Sequence, residues 1–310
     1  MTKRAVVTGA FSYIGSAVAS ELLRRGWQVS TLTRRRPPPG AERIRSAPLR
    51  FEPEHLEREL ARVDLLVSTY WVRFPHEGQS FDRAVADSRL LFEAAGRAGV
   101  GRVVQVSVSN ATLASRLGYY QGKARVDAAL ARSGISHAIV RPTLVVGPHD
   151  VLTSNIAWFL RRFPLFPVPD GGGYRLQPVT LADTARLVAD AGEAAEDLDL
   201  DAAGPEIYSF REYVELVARA CGVRRLLVAT PAWLALAGTR LVGRWLRDVV
   251  LTREELLGLQ QELLLSRAPV RGSESVAGWL TAHGGSLGRR YVNDLDRHFG
   301  AGATAPIAGE

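Results

Sequence analysis

Short runs of consecutive apolar residues alternate, in the first half of the chain, with stretches in which apolar residues recur every three or four positions. The apolar runs predict buried strands at residues 5–8, 28–33, 64–69, 102–107 and 137–142. The stretches between them predict amphipathic helices at residues 14–25, 81–98 and 119–132. Strands that alternate with helices form parallel sheets covered on both faces. The pattern therefore predicts an α/β fold with a doubly wound, Rossmann-type parallel sheet.

The alternation breaks after about residue 150, where the sequence becomes rich in turns. Helix starts are predicted at TLAD (180–183), SFRE (209–212) and TREE (252–255), and the last two have the spacing of a capping box. We expect residues 1–150 to form the Rossmann domain, with the sheet completed by parts of 174–210. Residues 151–300 are expected to form a smaller substrate-binding lobe, and the small, polar residues 301–310 a disordered tail.

Composition narrows the class of protein. The chain has 310 residues, of which 46% are hydrophobic and 23% charged, as in ordinary globular proteins. The single Cys221 excludes a disulfide framework within the chain, and the first ten residues lead into a strand without a secretory h-region. No run of about 18 apolar residues predicts a membrane span. These features predict a cytoplasmic protein. The histidines show no metal-ligand spacing, so no metal site is predicted.

The charge and one apolar stretch raise the question of partners. The net charge is +7, but the arginines are spread along the chain and no nucleic-acid-binding motif accompanies them. A small-molecule partner is therefore favoured over nucleic acid. Residues 231–246 form an apolar stretch with two Trp and two Arg residues. It is typical of core or homodimer packing, which we favour, or of a helix on a membrane surface.

A glycine-containing turn follows the first predicted strand, in VVTGAFSYIGSAV. Glycine at a strand–helix turn lets the backbone approach a pyrophosphate, which then lies at the helix N-terminus. The alternative is a plain glycine turn. The motif predicts a dinucleotide site made by Gly9, Phe11, Ser12, Tyr13, Ile14 and Gly15.

Basic residues follow the second predicted strand. In a dinucleotide fold this strand ends at the adenine ribose, where an acid binds a 2′-hydroxyl and arginine accommodates a 2′-phosphate. Arg34 and Arg35 occupy this place, and no acid follows before Glu42. The sequence favours NADP(H) over NAD(H), unless the arginines are only a solvated loop.

Lys123 is one of only two lysines among the 39 basic residues of the chain, and it lies four positions after Tyr119. On a helix the two side chains share a face, where an ammonium favours the ionised phenol and suits it to proton transfer. Ser107 and Ser109 precede this helix, and either hydroxyl could polarise a substrate oxygen. The alternative is that Tyr119 packs against a neighbour and Lys123 is a surface charge. The rival Tyr120 has Ala124, not lysine, at this spacing.

These motifs together resemble the short-chain dehydrogenase/reductase superfamily, in its atypical and extended, epimerase/dehydratase-like branch. TGAFSYIG, YYQGK and RPTLVVGP stand where the family has its glycine motif, its Tyr-x-x-x-Lys pair and its segment after the sixth strand, with Ser12 in place of the middle glycine. The resemblance implies that Lys123 also contacts the nicotinamide ribose. It further implies that Thr69, Tyr70, Pro142 and Thr143 lie beside the cofactor.

The sequence thus predicts an NADPH-dependent oxidoreductase with Tyr119 as the proton donor. Aromatic residues, among them Tyr70, Trp71 and Trp158, suggest a small apolar or aromatic carbonyl-type substrate, although they equally suit a core. Two alternatives stay open: a non-catalytic NAD(P)-binding redox sensor or scaffold, and an NAD-dependent epimerase or dehydratase.

Overall fold

The computed structural model describes residues 2–76 and 78–299, which fall into two compact units. The first unit holds the chain up to Pro142 together with Thr184–Ala202. The second holds Thr143–Asp183 and the described residues from Ala203 onward. The tail expected at residues 301–310 lies outside the described residues.

A seven-stranded parallel sheet organises the first unit. Numbered along the chain, its strands are β1 (Arg4–Thr8), β2 (Gln28–Thr33), β3 (Arg45–Pro48), β4 (Leu65–Ser68), β5 (Arg102–Val106), β6 (His137–Pro142) and β11 (Leu198–Ala202). They lie in the order β11-β6-β5-β4-β1-β2-β3, and every pairing is parallel. The predicted α/β class with a Rossmann-type sheet is confirmed.

Helices cover this sheet because its strands are apolar on both faces. They are α1 (Tyr13–Arg24), α2 (Pro53–Leu60), α3 (Phe81–Arg97), α4 (Gly118–Ala131) and α6 (Leu181–Glu193). Val7, Leu66 and Val103, in the three central strands, have no exposed surface. Burying such residues on both faces supplies most of the driving force for folding.

The last strand of the sheet and part of α6 come from a later part of the sequence, and polar contacts hold them in the first unit. Arg25 pairs with Asp190 at 2.7 Å and with Glu193 at 2.8 Å, and the Trp27 indole donates to Glu193. The buried Arg102 donates to two main-chain carbonyls that follow Asp190 along the chain. The residues from Thr184 to Ala202 are thus an integral part of the first unit.

The second unit combines five helices with three two-stranded sheets. The helices are α5 (Val151–Arg162), α7 (Phe210–Ala220), α8 (Ala232–Leu246), α9 (Arg253–Gln260) and α10 (Val276–His283), with a further short helix, α11 (Asp294–Phe299), at the end of the described chain. The sheets pair β7 (Leu144–Val146) with β10 (Pro178–Thr180), β8 (Leu165–Pro169) with β13 (Leu226–Thr230), and β9 (Arg175–Leu176) with β12 (Tyr208–Ser209).

Local capping fixes where two of these helices begin. The Ser209 hydroxyl and the Glu212 carboxylate cap α7 reciprocally, and Thr252 and Glu255 do the same for α9, as the two predicted capping boxes require. The core of this unit surrounds Tyr213, which has no exposed surface and shares a 2.7 Å hydrogen bond with Thr153. Among the described residues, no helix has both the length and the apolar character needed to cross a membrane.

Candidate active site

The turn between β1 and α1 is tight because two glycines lie against each other. Gly9 has φ = +73°, a left-handed conformation that glycine adopts at little cost. A Cβ atom on Gly15 would lie 2.1 Å from the Gly9 carbonyl oxygen, so a side chain at Gly15 would push the helix off the turn. The glycines predicted from the sequence are therefore needed to bring α1 close to the end of β1.

The N-terminus of α1 has the properties of an anion site. Its N-cap residue Ser12 makes no side-chain capping hydrogen bond, and its first turn holds no acidic residue. Ser12, Tyr13 and Ile14 are partly exposed there, whereas Phe11 is buried. Main-chain N–H groups at such an end favour a phosphate. These residues fit the pyrophosphate of a dinucleotide.

Thr69, directly after β4, lies beside the same turn. Its hydroxyl donates to the Thr8 carbonyl, and its N–H donates to the Thr8 hydroxyl at 2.8 Å. A Cβ atom on Gly9 would come within 3.3 Å of Ser12 Oγ and 3.4 Å of Thr69 Oγ1. Gly9, Ser12 and Thr69 therefore form one surface at the carboxyl edge of the sheet.

The two arginines after β2 lie near this surface. Arg35 Nη1 donates to the Phe11 carbonyl at 3.1 Å, and the Arg35 N–H donates to the Thr33 hydroxyl. Arg34 is exposed, and its charge acts on the phenol of Tyr70. Positive charge thus flanks the glycine turn from the β2 side, where the sequence predicts the adenine ribose phosphate.

The partly buried Tyr70 forms a polar pair with the buried Asp87. Its hydroxyl donates to Asp87 Oδ2 at 2.9 Å, and its ring lies 4.7 Å from that of Phe51. Burial and the Asp87 carboxylate raise the pKa of Tyr70, and Arg34 acts weakly in the opposite direction. The Tyr70 phenol is therefore held neutral and is unsuited to exchange protons near pH 7.

The Tyr-x-x-x-Lys pair lies on α4, as its spacing predicts. Tyr119 is partly exposed and sits in an aromatic cluster, edge-on to Trp71 at 6.0 Å and to Phe81 at 6.1 Å. Trp71 packs on Gly122, where a Cβ atom would approach the indole to 2.8 Å. Glycine at position 122 thus lets Trp71 lie over the helix between Tyr119 and Lys123.

Lys123 is far more buried than a surface lysine, with 3% exposure. Its Nζ donates to the Val106 carbonyl at the end of β5, at 2.8 Å, and lies 4.9 Å from the centroid of the Trp71 ring. Burial lowers the pKa of Lys123 to about 8, against the opposing effect of Asp127. The alternative that Lys123 is a surface charge is wrong for this structure.

Ser107 takes part in a buried network of charged and polar groups. The network is centred on Asp127, which lies one helical turn after Lys123 on α4. The Ser107 hydroxyl donates to Asp127 Oδ2 at 2.8 Å, and the same oxygen accepts from Arg141 Nη2 at 3.1 Å. Arg141 also pairs with Asp199 on β11. Burial raises the pKa of Asp127, whereas Arg141, the Ser107 hydroxyl and Lys123 oppose that shift.

The other predicted site residues lie on neighbouring segments. Ser109 has no exposed surface, and its N–H donates to the carbonyl of Pro142, which is buried at the end of β6. Thr143 is buried in the second unit, where its hydroxyl donates to the Gln177 carbonyl. The structure thus places Lys123 and Ser107 at the end of β5 in the first unit, with Tyr119 one helical turn before Lys123 on α4.

Asp127 and its partner Arg141 were missed by sequence reasoning. Asp127 follows Lys123 by four residues, so the i, i+4 spacing that singled out Tyr119 and Lys123 also continues to Asp127. Its importance rests on the partner Arg141, which comes from another strand and has no local signal. Trp71 was noted as an aromatic residue near the site, but its packing over Gly122 depends on the fold.

Comparisons with known proteins agree with a nucleotide-binding first unit. A family described as NAD(P)H-binding matches residues 9–150. The chain is 22% identical over 235 residues to NADH dehydrogenase [ubiquinone] 1 alpha subcomplex subunit 9, mitochondrial, of Arabidopsis thaliana. That match covers 69% of this chain and 56% of the relative, so the chain spans less than two thirds of that protein.

Two further proteins resemble the chain over more of their length. A ceramide reductase of Caulobacter vibrioides is 24% identical over 245 residues, which cover 77% of each protein. The solved structure of NADPH-dependent quinone oxidoreductase QOR2 from Escherichia coli, complexed with NADPH, has a TM-score of 0.73 at 18% identity. It is matched over 90% of this chain and 99% of that one.

Proposed function

We propose that this chain, which has the NAD(P)-binding fold of the short-chain dehydrogenase/reductase superfamily in its epimerase/dehydratase-like branch, is an NADPH-dependent oxidoreductase. Its substrate is a small, apolar or aromatic carbonyl compound. One observation carries the proposal: Tyr119 and Lys123 share one face of α4 beside the end of β5, and Trp71 packs against both.

Each residue of the site has a role in this proposal. Gly9, Ser12 and Gly15 leave room for the pyrophosphate at the start of α1, and Arg34 and Arg35 hold the 2′-phosphate. When bound, NADPH supplies a hydride to the carbonyl carbon. Tyr119 donates its phenolic proton to the carbonyl oxygen, which completes the alcohol. The proton that Tyr119 loses is replaced from solvent.

Lys123 holds the ribose and favours ionisation of the Tyr119 phenol. Its ammonium has three donors, and within the described chain the Val106 carbonyl is its only hydrogen-bond acceptor. The remaining donors suit ribose hydroxyls. Its burial strengthens the effect of its charge on a nearby phenol.

The Tyr119→Phe variant tests the proton transfer. NADPH oxidation is screened with aromatic and alicyclic ketones, aldehydes and quinones, because similar proteins include a quinone oxidoreductase and a ceramide reductase. With a turned-over substrate, Tyr119→Phe should lower kcat by about 100-fold or more while NADPH binding is retained. The matched control is Tyr120→Phe, which should leave the rate nearly unchanged. A wild-type rate for Tyr119→Phe would refute the mechanism.

A dinucleotide-binding subunit or sensor without turnover is the second candidate, and a specific observation favours it. The Ser107 hydroxyl proton points to Asp127, so it is not directed at a substrate oxygen, and Lys123 is almost fully buried. The relative from Arabidopsis is itself named as a subunit of a larger dehydrogenase. Calorimetric NADPH binding without oxidation of any substrate in the screen would favour this candidate.

A further inference from the structure

One face of α8 exposes large apolar side chains. Trp233, Leu241 and Trp245, spaced by multiples of four residues, are 70%, 68% and 71% exposed. The residues that the helix buries are small instead: Ala235 is buried, and Gly243 lies against the turn that follows the helix, where a Cβ atom would approach the Asp248 carbonyl oxygen to 2.5 Å. This is the reverse of a core-facing helix, whose large apolar residues point inward.

The exposed apolar surface continues beyond α8. The Trp245 ring lies 6.4 Å from that of Trp158, and Trp158 lies 6.1 Å from the ring of the exposed Phe163. Two residues further on, the exposed Leu165 begins β8 and lies in register with the exposed Leu226 of β13. We call the set Trp233, Leu241, Trp245, Phe163, Leu165 and Leu226 the apolar face. Large apolar side chains exposed on neighbouring elements in this way mark an interaction site.

Positive charge borders the apolar face. The segment from Ala232 to Arg247 contains no acidic residue, and Arg240, Arg244 and Arg247 in it are all exposed. A second copy of the chain would be a poor partner, because a twofold contact brings a patch against itself and would oppose these arginines. A partner with a negatively charged surface and an apolar layer under it would complement both the arginines and the apolar face.

We propose that α8 and the adjoining apolar face bind the surface of an anionic lipid bilayer. The helix lies in the plane of the interface, with Trp233 and Trp245 at the boundary between headgroups and acyl chains. Arg240 and Arg244 contact lipid phosphates. The helix does not span the bilayer, because its 15 residues extend only about 22 Å at 1.5 Å per residue.

Vesicle sedimentation of the full chain tests this binding. The protein should sediment with vesicles of phosphatidylcholine and phosphatidylglycerol, but hardly with phosphatidylcholine alone, and added salt should weaken the binding. The pair Arg240→Gln and Arg244→Gln should lower the affinity by about 25-fold, since each basic residue near such a surface contributes about fivefold. Trp233→Ala with Trp245→Ala should lower it at least as much.

Controls separate lipid binding from other effects. Leu113→Ala removes a side chain of comparable exposure, 56%, from the first unit and should leave sedimentation unchanged. In the wild type, brominated lipids should quench tryptophan fluorescence, a measurement that needs no variant to fold. Failure of the wild type to bind the anionic vesicles overturns the proposal. So does a dimer in analytical ultracentrifugation that the tryptophan pair of substitutions dissociates, because a second copy would then cover the apolar face.

Discussion

Burial makes Lys123 a titrating residue within the range of common buffers. Its pKa of about 8 means that the folded protein loses the ammonium as the pH rises through that value. Charge-assisted donation to ribose is lost with it. We therefore expect NADPH affinity, measured by calorimetry, to fall as the pH is raised above about 8.

Lys123→Arg is the matched control for this dependence. A guanidinium stays charged throughout the range, so this variant should bind NADPH more weakly at every pH but without the alkaline decline. Equal pH profiles for the two proteins would contradict the assignment to Lys123. The lowered pKa of Lys123 also affects stability. Between about pH 8 and 10.5 the unfolded chain holds a proton that the folded chain has released, so the free energy of unfolding increases as the pH rises.

Asp127 is a buried carboxylate that accepts from both Ser107 and Arg141. Asp127→Asn keeps the shape of the side chain but removes the carboxylate that accepts from Ser107 and Arg141. We expect a loss of about 3 kcal/mol in the free energy of unfolding, measured by urea denaturation. The control Asp82→Asn disrupts the pair with Arg125, in which Asp82 is 82% exposed, and should cost at most about 1 kcal/mol. Similar losses for both variants would mean that burial does not matter here.

At the scale of elements, strands and helices followed from local pattern. The strands predicted at 28–33 and 137–142 are found with those bounds, and the ends of α1, α3 and α4 differ from prediction by at most one residue. The resemblance to the short-chain dehydrogenase/reductase superfamily is confirmed at the level of the fold. The roles of the site residues stay predictions, because they depend on a bound cofactor.

What local pattern could not predict depends on contacts between elements. The spacing of Tyr119 and Lys123 placed them on one face of a helix, but it gave no sign that Lys123 would be buried under Trp71. Likewise, Asp127 acquires its role only when β6 brings Arg141 beside α4. Periodicity reports which face of an element is apolar, not which charged groups meet across two elements.

We expect the end of β2 to decide the cofactor preference. Arg34→Ala combined with Arg35→Ala should weaken NADPH binding by about 10- to 150-fold, because a charge-assisted phosphate contact contributes about 1.5–3 kcal/mol. NADH, which has no 2′-phosphate, should bind nearly as before. The neighbouring exposed Arg36→Ala serves as the control in the same calorimetric titrations. Equal weakening of both cofactors would show that the arginines act only as a general positive patch.

At the scale of the whole molecule, the first unit is discontinuous in sequence. A fragment of residues 1–150 would lack β11 and all of α6, and α6 supplies partners to Arg25, Trp27 and Arg102. We expect this fragment to show no cooperative thermal unfolding by circular dichroism and no NADPH binding. Residues 1–142 joined to 184–202 by a flexible glycine–serine linker should recover both properties. Native behaviour of the 1–150 fragment would contradict the assigned role of β11.

The late position of β11 also orders events on the ribosome. When the nascent chain has emerged as far as β6, the outer edge of that strand still has its N–H and C=O groups unpaired, and it must wait while the intervening residues of the second unit are translated. At about 5–20 residues per second, the roughly sixty residues to the end of β11 take several seconds. During that interval the exposed edge can be bound by ribosome-associated chaperones. Synonymous codons that slow translation between β6 and β11 should therefore lower the soluble yield, although the amino-acid sequence is unchanged.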